Sequence, residues 1–115
     1  MKEENEEMLN ELEGKTFRVR SLIDYQENAV VSKTLVDRKA GTITLFAFDE
    51  GQSLSEHTAP FHALAQILEG EAEIRIGDET IELSEGENTI IPEDEPHSLE
   101  AKKRFKMLLT MIKRE

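Results

Sequence analysis

From residue 16 to residue 112 the chain is a succession of strand-length apolar runs cut by turn residues, and this punctuation constrains the fold more than any single motif. Residues 16–23, 29–38 and 42–48 are rich in Val, Ile, Thr, Leu and Phe, with Glu27-Asn28 and Ala40-Gly41 between them. Such side chains favour a pleated, half-buried surface. Within TITLFAF, Ile43, Leu45 and Ala47 share one face and Thr42, Thr44, Phe46 and Phe48 the other. Both faces carry apolar members, so this strand is expected to be buried on both sides. Residues 63–68, 71–76, 79–83, 88–91, 97–101 and 105–112 continue the series, separated by Glu69-Gly70, Gly77-Asp78, Ser84-Glu85-Gly86 and the stretch from Pro92 to Pro96. Glycine and proline supply the backbone angles a reversal needs. The pattern predicts an all-β sandwich or barrel.

The beginning of the chain reads differently. Residues 1–13 hold six Glu and one Lys, with Met8, Leu9 and Leu12 at helical spacing. Residues 1–14 are therefore read as an acidic segment, a short helix or tail closed by Gly14, and residues 15–115 as the barrel domain. A chain of 115 residues has room for one such core. The opposite end is basic, with Lys102, Lys103, Arg104, Lys106, Lys113 and Arg114 after residue 101.

Composition narrows the partners. A net charge of -11 opposes a phosphate backbone, so no nucleic-acid partner is expected. No apolar run reaches the roughly 18 residues of a membrane span, and MKEENEEMLNELEG lacks the apolar core of a secretion signal. A cytoplasmic protein with no membrane partner is expected. The absence of cysteine excludes disulfides, thiolate metal sites and thiol nucleophiles.

All three histidines, His57, His62 and His97, lie between Gly51 and His97. In that stretch Gly51, His57 and Gly70 stand at the spacing of the first motif of the cupin family. Gly86, Pro92 and His97 match its second motif, with Asp94 in place of the inner glycine. The chain thus resembles the small single-domain cupins, and the resemblance implies a cupin-like double-stranded β-helix, or jelly-roll barrel, that pairs as a homodimer. In metal-binding cupins the ligands are two His and a Glu of the first motif and the His of the second. His57 and His97 carry over. The second His position is Ala59, and the Glu position falls at Ala63 or Leu64.

Neighbouring residues offer substitutes. Residues two apart on a strand share a face, so His62, Leu64 and Gln66 point together. With Leu64 at the Glu position that face is the interior, and His62 and Gln66 join His57 and His97 as candidate metal ligands. Imidazoles suit a divalent transition metal such as Zn, Ni, Fe or Cu, with Mn also considered. A metal without a carboxylate ligand favours an anion, so a small organic acid, bound or transformed, is the expected ligand. Phe46, Phe48, Leu64, Met107 and Leu109 are the candidate pocket wall. The alternative is a metal-free, non-catalytic barrel that binds or senses a small molecule through hydrogen-bonding histidines. Catalysis is left open between the two. Ser98 is no partner for His97 as a nucleophile, because successive strand residues face opposite ways.

Overall fold

The computed structural model describes residues 2–4 and 7–113. Among the described residues nine strands, β1 (Lys2–Glu4), β2 (Val30–Arg38), β3 (Gly41–Phe48), β4 (Ser53–His57), β5 (Phe61–Ile76), β6 (Glu79–Ser84), β7 (Asn88–Ile91), β8 (His97–Glu100) and β9 (Phe105–Lys113), form one curled sheet. A four-residue helix, α1 (Leu9–Leu12), and a 3-10 turn, Val19–Leu22, precede β2. The all-β cupin-like barrel expected from the sequence is the fold observed. Among the described residues no helix is long and apolar enough to cross a membrane.

β5 organises the sheet. Its first half pairs with β9 and β7, giving one layer in the order β1-β2-β3-β9-β5-β7. Its second half pairs with β8 and β6, giving a second layer β4-β8-β5-β6. The strand turns the corner between them at Gly70 with φ +79. An added Cβ there would fall on the Arg104 carbonyl oxygen and 2.9 Å from Phe105 Cα, so glycine is required both for its angle and for the approach of β9. The Glu69-Gly70 pair, expected to be a reversal, is thus a bend inside one continuous strand. A register shift against β9 between Ile67 and Glu69 swaps the inward set. Ala63, Ala65 and Ile67 face the core before it, and Ala72 and Ile74 after it.

The space between the layers is filled by Phe48, Ala65, Ile67, Ile74, Leu83, Leu99, Phe105 and Met107, with the Phe48 and Phe105 rings stacked at 4.4 Å. The outer face of β2 and β3 is apolar too. Val31, Leu35, Leu45 and Ala47 pack there under Met8, Leu12, Val19, Leu22 and Ile23. β3 is therefore buried on both faces, as its two apolar sets require. Each Val or Leu removed from water contributes about 1.5–3 kcal/mol, which explains why a segment with little regular structure stays in place.

Residues 16–23 were expected to be a strand and are instead part of this strap. Val19 and Leu22 stand three apart, a spacing that a 3-10 turn brings onto one side. Two lysines fasten the strap's carbonyls: Lys33 Nζ donates to Leu22 O at 2.9 Å and Lys106 Nζ to Arg20 O at 2.7 Å. Tyr25 Oη donates to Glu69 at 2.8 Å under the Arg104 guanidinium. The helix expected near the start is confined to α1; residues 1, 5 and 6 lie outside the described residues. Arg114 of the basic end also lies outside them. Within the rest of that end Lys102 meets Glu73 at 2.8 Å and Arg104 meets Asp49 at 3.1 Å, while Lys113 Nζ donates to Arg38 O at 3.0 Å.

Candidate functional site

A cavity of about 500 Å³ opens between the two layers. One wall comes from β4 and β8. His57 and His97 are cross-strand partners there, with ring centroids 4.3 Å apart and planes inclined by 59°. Gly51 (φ +83) turns the chain into β4, and its N–H donates to Ala101 O at 2.7 Å, which ties β4 to the end of β8. On the other side of the pair, Asp94 N donates to Ala59 O at 2.8 Å. Asp94 has φ +62, which explains why the family's motif places glycine at this position; Asp is among the few other residues that tolerate it.

Both rings are fixed in the same way. His57 Nδ1 lies 2.8 Å from Ser55 O, and His97 Nδ1 lies 2.9 Å from Glu95 O. A carbonyl oxygen only accepts, so each Nδ1 carries the proton and, in the neutral ring, each Nε2 keeps its lone pair. Burial pushes His97 below the ordinary imidazole range; the Glu95 carbonyl pulls the other way, and His57 beside it adds to the lowering. His97 is 8% exposed, whereas His57 stands at the rim.

The facing wall belongs to β2, β3, β9 and the first half of β5. Phe46, Phe61, Ala63, Met107, Leu109 and Met111 supply apolar surface there, joined by Ile91 of β7, while Leu54 and Leu99 add apolar surface on the histidine wall. Ser32, Thr34 and Thr44 add a row of hydroxyls on β2 and β3, where Thr34 and Thr44 are cross-strand partners. Among the described residues no Asp, Glu, Lys or Arg lines the cavity.

The structure brings His57 and His97 together and leaves the other two candidates outside. Leu64 is not at the Glu position; Ala63 is, since Ala63 lines the cavity and its partner Met111 does too. His62, Leu64 and Gln66 therefore point outward. Gln66 is paired with Leu108, which packs on the strap side, and His62 with exposed Ile112. The His62 side chain is 60% exposed and its Nδ1 is 3.9 Å from Glu93. Among the proposed wall residues, Phe46, Leu109 and Met107 line the cavity, Leu64 does not, and Phe48 lies below it in the core on Phe105. The hydroxyls were missed, although Thr44 shares the face of Phe46 and Ser32 and Thr34 alternate with Val31 and Lys33.

The four ligand positions implied by the resemblance are thus His57, Ala59, Ala63 and His97, and all four line the cavity. Two are imidazoles and two are methyl groups. Among the described residues no group of three or more His, Asp or Glu side chains converges. Divalent centres of this kind use at least three protein ligands, so the donor set does not fit one.

Residues 39–112 match a family model described as the AraC-like ligand binding domain. Among solved structures, a conserved protein of unknown function from Streptococcus pyogenes superposes with a TM-score of 0.87 at 34% identity, over 97% of this chain and 99% of that one. A cupin superfamily protein from Desulfitobacterium hafniense gives 0.84 at 33% identity, over 89% and 94%. A cupin 2 conserved barrel domain protein from Leptotrichia buccalis gives 0.82 at 35% identity, over 84% of this chain and 47% of that one. No curated protein matches.

Proposed function

Because the chain belongs to the cupin superfamily, as one of its AraC-like ligand binding domains, we propose that it is a non-catalytic module that binds a small molecule directly in the cavity between its two layers. The observation that carries this reading is the chemistry of the lining. The wall is mostly apolar, its few polar groups come from both layers, and among the described residues no carboxylate or cation lines it. Cavities of such size and character are the usual seats of small ligands. The reading that puts a divalent metal on His57 and His97 and an organic acid upon it has less support. Ala59 and Ala63 stand where its remaining donors belong, and among the described residues no cation lines the cavity where the acid would lie.

The test is thermal unfolding with a library of small aromatic and alicyclic compounds, on wild type and on Ala59→Trp. Ala59 lies in the loop after β4, so an indole there fills cavity space without entering a strand. A ligand at about one hundred times its Kd stabilises by about 2.7 kcal/mol, a rise of several degrees for a chain of this length. The expected result is a set of compounds that raise the midpoint of wild type and leave Ala59→Trp unchanged. Compounds that stabilise both proteins equally would place binding elsewhere.

A further inference from the structure

Resting on that reading, we propose that the cavity selects neutral hydrogen-bond donors with an apolar body and rejects anions, the donor being received by the Nε2 atoms of His57 and His97 and a second polar end by the hydroxyls of Ser32, Thr34 and Thr44.

The imidazole pair sets the first preference. Each Nδ1 donates to a main-chain carbonyl of its own strand approach, so the atom left to each neutral ring is an acceptor. Among the described residues neither Nε2 has a hydrogen-bond partner. Two acceptors side by side attract an O–H or N–H and repel a carboxylate, whose oxygens are acceptors as well. Among the described residues no lysine or arginine lines the cavity to offset that repulsion, so an acid finds no cation to pair with there. An unpaired buried charge is far more costly than an unpaired neutral group.

The apolar wall sets the second preference. Phe46, Phe61, Met107 and Leu109 line the cavity with apolar surface that matches a ring or a branched hydrocarbon, not a polyol. The hydroxyl row sets the third. Ser32, Thr34 and Thr44 sit on the layer opposite the imidazoles, and packed sheets stand about 10 Å apart. A hydroxyl either donates or accepts, so it tolerates many neutral end groups. The occupant is accordingly two-ended: a donor at the imidazoles, an apolar centre, and a polar group across from it.

Four matched probes test this by NMR titration of the amide spectrum at pH about 8, above the ordinary imidazole range. 4-Ethylphenol has the donor, 4-ethylanisole lacks it, 4-ethylbenzoate replaces it with an anion, and 2-(4-hydroxyphenyl)ethanol adds the second polar end. A net hydrogen bond of ordinary strength corresponds to about three- to tenfold in affinity. 4-Ethylphenol is expected to bind that much more tightly than 4-ethylanisole, and 4-ethylbenzoate at least about tenfold more weakly than 4-ethylphenol. The His57→Phe, His97→Phe double variant, which keeps ring bulk, is expected to shrink the first difference to less than about twofold. 2-(4-Hydroxyphenyl)ethanol is expected to gain about threefold over 4-ethylphenol, a gain lost in Thr34→Val, Thr44→Val. Equal binding of 4-ethylphenol and 4-ethylanisole in the cavity overturns the proposal while leaving a ligand-binding barrel standing, and tighter binding of 4-ethylbenzoate does the same. No cavity shift from any of the four probes overturns the proposed function with it.

Discussion

Gly70→Ala is expected to lose about 3 kcal/mol or more of folding stability, against about 1–2 kcal/mol for Gly86→Ala, when both are measured by urea unfolding. The two glycines share a left-handed backbone, φ +79 and φ +86, so the conformational part of the cost is common to both. What separates them is the space beside them. A Cβ at Gly86 meets nothing within 4 Å, whereas at Gly70 it falls on the Arg104 carbonyl oxygen and close to Phe105 Cα. Both of those are backbone atoms, and neither yields unless β9 moves away from β5. That would loosen Phe105 from its stack on Phe48 and open the cavity floor at Met107. Domains of this kind are stable by about 5–15 kcal/mol in total, so the loss is a large share. Equal losses at the two positions would mean that the corner of β5 tolerates a side chain and that the approach of β9 does not depend on it.

The second large effect is a gain. Ala59→His with Ala63→Glu is expected to turn a chain that retains little metal into one that holds a divalent transition metal at close to one per protein, read by elemental analysis after purification without chelator. The positions are those that the family's metal-binding members use, and all four of the resulting donors line one cavity here. Without metal the variant is expected to be less stable than wild type, because Ala63→Glu sets a carboxylate next to Met111 in an apolar wall. Adding Zn or Ni at about one hundred times Kd should restore about 2.7 kcal/mol. Wild type is expected to show no comparable rise, since two imidazoles fall short of the ligand number such centres use. A variant that takes up no metal would show that the four positions do not converge. Stoichiometric metal in wild type, lost in His97→Ala, would restore the metal reading and set the direct-binding account aside.

The sequence announced the barrel more clearly than the orientation of its site. The two apolar sets of TITLFAF predicted a strand buried on both faces, and the strap over Leu45 and Ala47 together with the core around Phe48 is the reason. Residues 16–23 have the composition of a strand, yet their apolar members serve a surface that is already a complete sheet, so they lie across it. Composition carries no information about whether a backbone edge is free to pair. The site failed at one residue of register. The family's Glu position was open between Ala63 and Leu64, and choosing Leu64 turned His62 and Gln66 inward. Because strand side chains alternate with a period of two, that single step exchanges the two faces completely. Nothing local to residues 61–68 distinguishes them, since both sets contain apolar members. The pairing of Ala63 with Met111, 48 positions away in the chain, decides it. His57 and His97 were legible because their motifs fix them independently of that step, and the hydroxyls of β2 escaped notice because short polar residues in a strand are ordinarily read as its outer face.

The measurement that tests the account most directly is the nitrogen NMR spectrum of the histidine rings across a pH titration, repeated with 4-ethylphenol. The account predicts that His57 and His97, once neutral, are both Nδ1–H tautomers, that His97 titrates below the ordinary imidazole range, and that 4-ethylphenol moves the Nε2 resonances of both while leaving those of His62 in place. Rings with the proton on Nε2, or Nε2 resonances indifferent to a compound that binds the cavity, would contradict it.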